Sequence, residues 1–168
     1  MSTYAFALKN FKELGVSGKL IKALEENNII TPTEIQNVAI PHLLQNGGDF
    51  IGQAQTGTGK TAAFGIPLLQ YVDPKIEKIQ GLVLAPTREL AKQIAKQLFR
   101  FARYSPERIF TEAVYGGDPI EKQRAALNRP THIVVATPGR LIDLLKIVLL
   151  SVIIIILKTK NLNGQYFN

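Results

Sequence analysis

An α/β fold built on a mostly parallel sheet flanked by helices is the class this 168-residue sequence predicts, and three observations predict it. Short apolar runs alternate with segments whose apolar residues recur at helical spacing, which is the pattern of βαβ units. A Gly- and Thr-rich loop joins a strand-like segment to a helix-like one. The length is about one domain's worth, enough to bury a core without disulfide or metal staples.

The elements follow in order. Residues 17–24 read as a helix, with Leu20, Ile21 and Leu24 on one face behind a Ser17 cap. Thr31-Pro32-Thr33-Glu34 has the Thr-x-x-Glu form of a capping box with Pro32 at the first helical position, and Ile35, Val38 and Ala39 supply the apolar stripe. After the turn Asn46-Gly47-Gly48, residues 49–54 read as a short strand, and a helix is expected from about Lys60. Residues 81–85 form an apolar run stopped by Pro86, as in a strand buried on both faces. Residues 89–103 are an amphipathic helix with a basic outer surface: Leu90, Ile94, Leu98 and Phe101 share a face, while Lys92, Lys96, Arg100 and Arg103 lie elsewhere. Residues 110–115 and 131–137 read as further strands, with a helix near 120–127 between them. Parallel sheets bind ligands at the carboxyl ends of their strands, so the loops after Ala54, Ala85, Tyr115 and Thr137 are the ones to watch.

Composition narrows the function. The absence of cysteine excludes a disulfide partner, a thiolate metal site and a cysteine nucleophile. Two histidines, His42 and His132, make a histidine-rich metal site a poor candidate. The N-terminus lacks a basic start followed by an apolar run, so no secretory signal is expected. A reducing, cytoplasmic setting away from membranes is the expectation. The chain carries 20 Lys/Arg against 13 Asp/Glu, a net +7. Residues 1–84 hold seven of each sign, so the whole excess sits in residues 85–168. A one-sided basic surface suits a polyanion, because Lys and Arg displace condensed counterions from phosphates. Solubility alone would also account for it.

The loop Ala54-Gln55-Thr56-Gly57-Thr58-Gly59-Lys60-Thr61 has the spacing of a phosphate-binding loop, with Ala in the first glycine position. Gly57 and Gly59 allow backbone angles closed to other residues and let amides approach phosphate. The helix opening at Lys60 aims its positive end at the same place. Lys60 can reach the outer phosphates, and the Thr61 hydroxyl can ligand Mg²⁺. The loop alone does not choose the nucleotide enzyme. No Asn-Lys-x-Asp string for guanine occurs, and the basic second half gives a small-molecule kinase no substrate logic.

Further strings, in order, resemble the DEAD-box family of ATP-dependent RNA helicases. Phe11 followed by Thr31 and Pro32-Thr33-Glu34-Ile35-Gln36 is similar to that family's adenine-reading motif. The resemblance implies that Gln36 hydrogen-bonds the adenine edge and that Phe11 packs near the ring. Core packing for Phe11 and a first-turn position for Gln36 are the alternatives. Pro86-Thr87-Arg88-Glu89-Leu90-Ala91, Gly116-Gly117 and Thr137-Pro138-Gly139-Arg140 resemble three motifs that grip the RNA backbone. Each string is also an ordinary cap, turn or solvated charge. Their joint order carries the resemblance, which covers residues 11–145. It implies a RecA-like lobe, ATP with Mg²⁺ as cofactors, Lys60 and Thr61 as catalytic residues, and RNA bound without base reading.

The resemblance is incomplete. The family's acidic box does not occur: the four aspartates are Asp49, Asp73, Asp118 and Asp143, and none adjoins a glutamate. An acidic residue at a strand end helps hold Mg²⁺ in such ATPases. Residues 146–168 change character, with no Asp, Glu, Arg, Ala or Pro. The run 147–157 is apolar except for Ser151, too short to span a membrane at about 17–25 residues. Its β-branched residues 152–156 favour a strand, and exposed they would aggregate. The expectation is an incomplete N-terminal lobe over 1–145, C-terminally truncated, with an aberrant tail of frameshifted or read-through origin over 146–168. Such a lobe would bind ATP and RNA without turnover or unwinding. The alternatives are a non-catalytic module competing with an intact helicase, and a product without a stable fold.

Overall fold

The structure, a computed structural model, describes residues 9–45, 49–147 and 154–155. Residues 1–71 and 72–168 form two compact units.

The described part of the first unit is helical: α1 (Gly18–Glu26), α2 (Glu34–Gln45) and α3 (Lys60–Tyr71), with α2 packed on α3. Leu20, Ala23 and Leu24 bury one face of α1. Ser17 stands at its N-cap, but the hydroxyl makes no capping bond. The Ser17 amide donates instead to Gln70 Oε1 of α3 at 2.7 Å. The helix stops where Asn28 turns to φ 57°, and Ile29 N–H returns to the Leu24 carbonyl at 2.9 Å. Asn tolerates that left-handed stop better than most residues.

Two expectations for this unit are corrected. The capping box is Thr33-x-x-Gln36, not Thr31-x-x-Glu34: Thr33 N–H donates to Gln36 Oε1 at 3.0 Å, and α2 begins at Glu34 with Pro32 outside it. Both strings fit the pattern. Gln36 prevails because the rest of its amide finds a partner in the Gly59 carbonyl, at 3.0 Å, while Glu34 stays in water. Residues 49–54 form no strand. A strand exists as part of a ladder, and the described elements of this unit are all helices. Ile51 is accordingly 99% exposed.

The second unit is the parallel sheet. Its elements are β1 (Gly81–Leu84), α4 (Arg88–Phe101), a 3-10 turn over Ala102–Tyr104, β2 (Thr111–Val114), α5 (Ile120–Leu127), β3 (Ile133–Ala136), α6 (Pro138–Ile147) and β4 (Ile154–Ile155). The strand order is β2-β3-β1-β4, and every pair is parallel. Leu82 lies opposite Val134 on one side and Ile154 on the other. Right-handed crossovers put α4 on one face, and α5 and α6 on the other. The core agrees: Leu82, Val114, Val134 and Ala136 pack with Leu144 of α6, and Ile120, Leu127 and Leu141 close around them. Ala91, Ile94, Ala95, Leu98 and Phe101 form the buried stripe of α4.

Of the Ile-rich tail, Ile154 and Ile155 pair with β1, so at these two positions the run does form a strand. The expectations about the rest of the tail lie outside the described residues.

Candidate phosphate loop and candidate nucleic-acid interface

In the first unit the loop before α3 has the backbone that phosphate binding needs. Gly57 and Gly59 take φ of 81° and 83°. A Cβ at Gly59 would run into the Gln36 amide. The loop is braced from α2: Thr33 Oγ1 donates to the Thr58 carbonyl at 2.8 Å, and Gln36 Nε2 to the Gly59 carbonyl. Thr58 Oγ1 donates to the Gln55 carbonyl at 2.8 Å. The Lys60 ammonium donates to the carbonyls of Ala54 and Gln55, both at 2.5 Å. Its charge thus lies folded over the loop, at the N-terminus of a twelve-residue helix.

The candidate residues fall into two groups here. Residues 54–59 form the loop, Lys60 and Thr61 open α3 behind it, and Gln36 reaches it. Gln36 is 1% exposed, with both ends of its amide bonded to protein. Phe11 is buried in the core, and Thr31 is exposed. Thr33 was not among the candidates, although its spacing from Gln36 was the available signal.

ATP suits this loop because a phosphate would replace the Ala54 and Gln55 carbonyls as partner to Lys60. For Mg²⁺ the unit offers the Thr61 hydroxyl, and no group of three His, Cys, Asp or Glu side chains occurs among the described residues. The ion would therefore arrive on the nucleotide, since Mg²⁺ keeps much of its shell as phosphate and water.

In the second unit, parallel pairing brings the loops after β1, β2 and β3 to one edge. Thr87 caps α4, accepting from Leu90 N–H at 3.2 Å. Arg88 then projects from the first turn. Its Nε donates to Glu89 Oε1 at 2.6 Å. That bond holds the Glu89 carboxyl below its usual range and raises Arg88. The Arg88 guanidinium lies 3.3 Å from where a Cβ on Gly117 would stand, and Gly117 takes φ 96°. The positive φ is what calls for glycine at 117; the Arg88 guanidinium beside it is the end of a flexible, exposed side chain that can shift.

Arg140, in the first turn of α6, donates from Nη2 to the Asp118 carbonyl at 2.9 Å. Its Nε and Nη1 are buried without a partner among the described residues. Pro86, Gly116, Pro138 and Gly139 are exposed at the same edge, and Thr137 is half-buried. Gln123 of α5 clamps the loop, accepting from Tyr115 N–H (3.1 Å) and donating to the Tyr115 carbonyl (3.0 Å). Lys92 sits 4.5 Å over the Tyr115 ring. Gln123, Asp118 and Lys92 were not candidates; a helical Gln facing a loop carries no pattern that marks it.

The arrangement can hold phosphates through arginine side chains and loop amides. His132 does other work. It is 1% exposed, accepts from Phe110 N–H at Nδ1 (3.0 Å), and faces the Pro74 carbonyl with Nε2 (3.2 Å).

Comparison with known proteins bears on both sites. The DEAD/DEAH box helicase family profile matches residues 33–159. The DEAD-box ATP-dependent RNA helicase CshA of Bacillus cereus is 49% identical over 136 residues, and that of Bacillus anthracis matches equally. This chain spans 25% of the length of each, the match covering 81% of the chain. A crystal structure of a DEAD box protein from Methanococcus jannaschii is similar at TM-score 0.75 and 37% identity, over 82% of this chain and 37% of that one. Saccharomyces cerevisiae Dbp5 bound to RNA and ADP BeF3 is similar at TM-score 0.76 and 31% identity, over 88% and 38%.

Proposed function

The chain belongs to the DEAD/DEAH box helicase family, and from that membership we propose that it binds ATP and the RNA backbone without turning ATP over. The observation that carries the nucleotide half is the loop 54–61. Its two positive-φ glycines, its helix N-terminus and Lys60 converge on one point. Lys60 and the amides of residues 57–61 hold the phosphates, and Thr61 supplies the protein's ligand to a nucleotide-borne Mg²⁺. Bound Mg²⁺ neutralises phosphate charge. Thr31 and Gln36 select adenine, Gln36 by exchanging the Gly59 carbonyl for the base, while Phe11, buried in the core, packs there rather than on the ring.

RNA binds at the edge built by Pro86, Thr87, Arg88, Gly116, Gly117, Thr137, Pro138, Gly139 and Arg140. The unpartnered Arg140 donors and the open Arg88 side chain support this reading. Binding through phosphates carries no sequence preference and weakens with salt. The cytoplasm is the proposed setting, in keeping with the absence of cysteine. No helix among the described residues is long and apolar enough to cross a membrane. Absence of turnover follows from the 168 residues themselves, which hold no Asp next to a Glu and so no acidic box.

Calorimetric titration of ATP into the chain tests the nucleotide half. Saturable binding, lost in Lys60→Ala and weaker for GTP, is expected. Equal binding by the parent and Lys60→Ala would contradict it.

A further inference from the structure

The loops at the strand ends do not exhaust the basic surface of the second unit. Arg88, Lys92, Lys96 and Arg100 follow one another along α4 at four-residue steps, and all are exposed. Four residues advance about 6 Å along the axis, so the row is about 18 Å long and winds about 120° round the helix. Glu89, paired to Arg88, is the one acid on the helix. The row runs from the carboxyl ends of the strands back towards their amino ends, where Arg108 lies near Phe99 of the same helix. That guanidinium is 5.8 Å from the Phe99 ring and 5.0 Å from the Phe110 ring, both exposed. Phe110 is in turn stacked on His132, 6.0 Å between centroids and 15° between planes. A guanidinium held near ring faces by cation–π attraction keeps its N–H donors for an outside acceptor.

We infer that the α4 row, from Lys92 to Arg100 and ending at Arg108, is a second RNA track, which carries single-stranded RNA beyond the strand-end loops. Two observations favour RNA over an acidic polypeptide. The row begins at Arg88 itself, so a strand gripped at the loops already lies over its first cation. Its charge is spread as a line of similar steps, which suits a line of phosphates. Each nucleotide of one stacked strand rises roughly 3.4 Å along the axis, so the row matches the axial length of about five nucleotides. Phe110 already carries two ring-face neighbours, Arg108 at 5.0 Å and His132 at 6.0 Å.

This inference rests on the RNA-binding reading of the loops, and two variants keep the two apart. Labelled oligouridylates of about 6 and about 15 nucleotides, the longer able to run the row, are titrated across a salt series. Lys96→Ala/Arg100→Ala/Arg108→Ala is expected to bind the short RNA like the parent. It loses about tenfold on the long RNA, and its salt slope there falls by about two. Lys96→Arg/Arg100→Lys keeps the parent's affinity for both lengths. Arg88→Ala/Arg140→Ala weakens both lengths, and indifference of the short RNA to it would refute the loop reading alone. Parent-like long-RNA binding by the triple variant would overturn the track, as would equal weakening of both lengths. Displacement of the long RNA by polyglutamate as readily as by unlabelled oligouridylate would assign the row to acidic polypeptides instead, and would overturn it too.

Discussion

A side chain at position 59 has nowhere to go. The backbone there is left-handed, and the Gln36 amide fills the space a Cβ would take. Gly59→Ala should cost about 1–2 kcal/mol in local conformation and abolish ATP binding, with a cooperative melting transition retained in a calorimetric scan. Gln36→Ala separates two roles. If Gln36 reads adenine, the variant loses the preference for ATP over GTP in competition titrations. If it only braces Gly59, both nucleotides weaken together. Thr87→Ala removes the α4 cap and should lower stability by about 1 kcal/mol in urea denaturation. The Arg88–Glu89 pair gives the pH dependence its sign. Glu89 is held below its usual range, so the pair stays ionised as pH falls through that range and parts only below it. Freed of Glu89, Arg88 offers its full charge to phosphate, so RNA affinity should rise below the ordinary carboxylate range. Glu89→Gln should bind RNA more tightly at neutral pH and lose that rise.

At the level of elements, Gln123 shows how a helix positions a loop. Both ends of its amide serve the Tyr115 backbone, so Gln123→Leu should leave two groups unpaired and cost roughly 1–3 kcal/mol each by urea denaturation, with weaker RNA binding. Strands β1 and β3 were legible because each is an apolar run bounded by turn residues and buried in the middle of the sheet, whereas β2, with Thr111 and Glu112, is half-buried at the sheet edge. The α4 stripe was equally plain, since Ile94, Leu98 and Phe101 recur at helical spacing. Residues 49–54 have much the same local character as a strand and form none, because pairing comes from a neighbour that local sequence does not specify. The start of α2 was ambiguous for a different reason. Thr31/Glu34 and Thr33/Gln36 satisfy one pattern, and a carbonyl 23 residues away at Gly59 decides between them. The loop 54–61 was legible nearly whole, because its glycines and lysine are fixed by chemistry. Its brace from Thr33 was not, because nothing in a threonine announces a partner in a distant loop.

For the molecule as a whole, charge placement decides the character of binding. The +7 excess lies wholly in residues 85–168, where α4 and the strand-end loops sit. RNA affinity should fall steeply with salt, while ATP affinity at the loop changes little. The two-residue strand β4 lies along β1, and Ile155→Pro, which takes a donor from that ladder, should lower the melting temperature. Binding without turnover is tested most directly by RNA-stimulated ATP hydrolysis on the purified chain, with Lys60→Ala as control. Saturable ATP binding is expected, with phosphate release no faster than that of Lys60→Ala. Release well above that control, stimulated by RNA, would contradict binding without turnover and would mean that the acidic box is dispensable here.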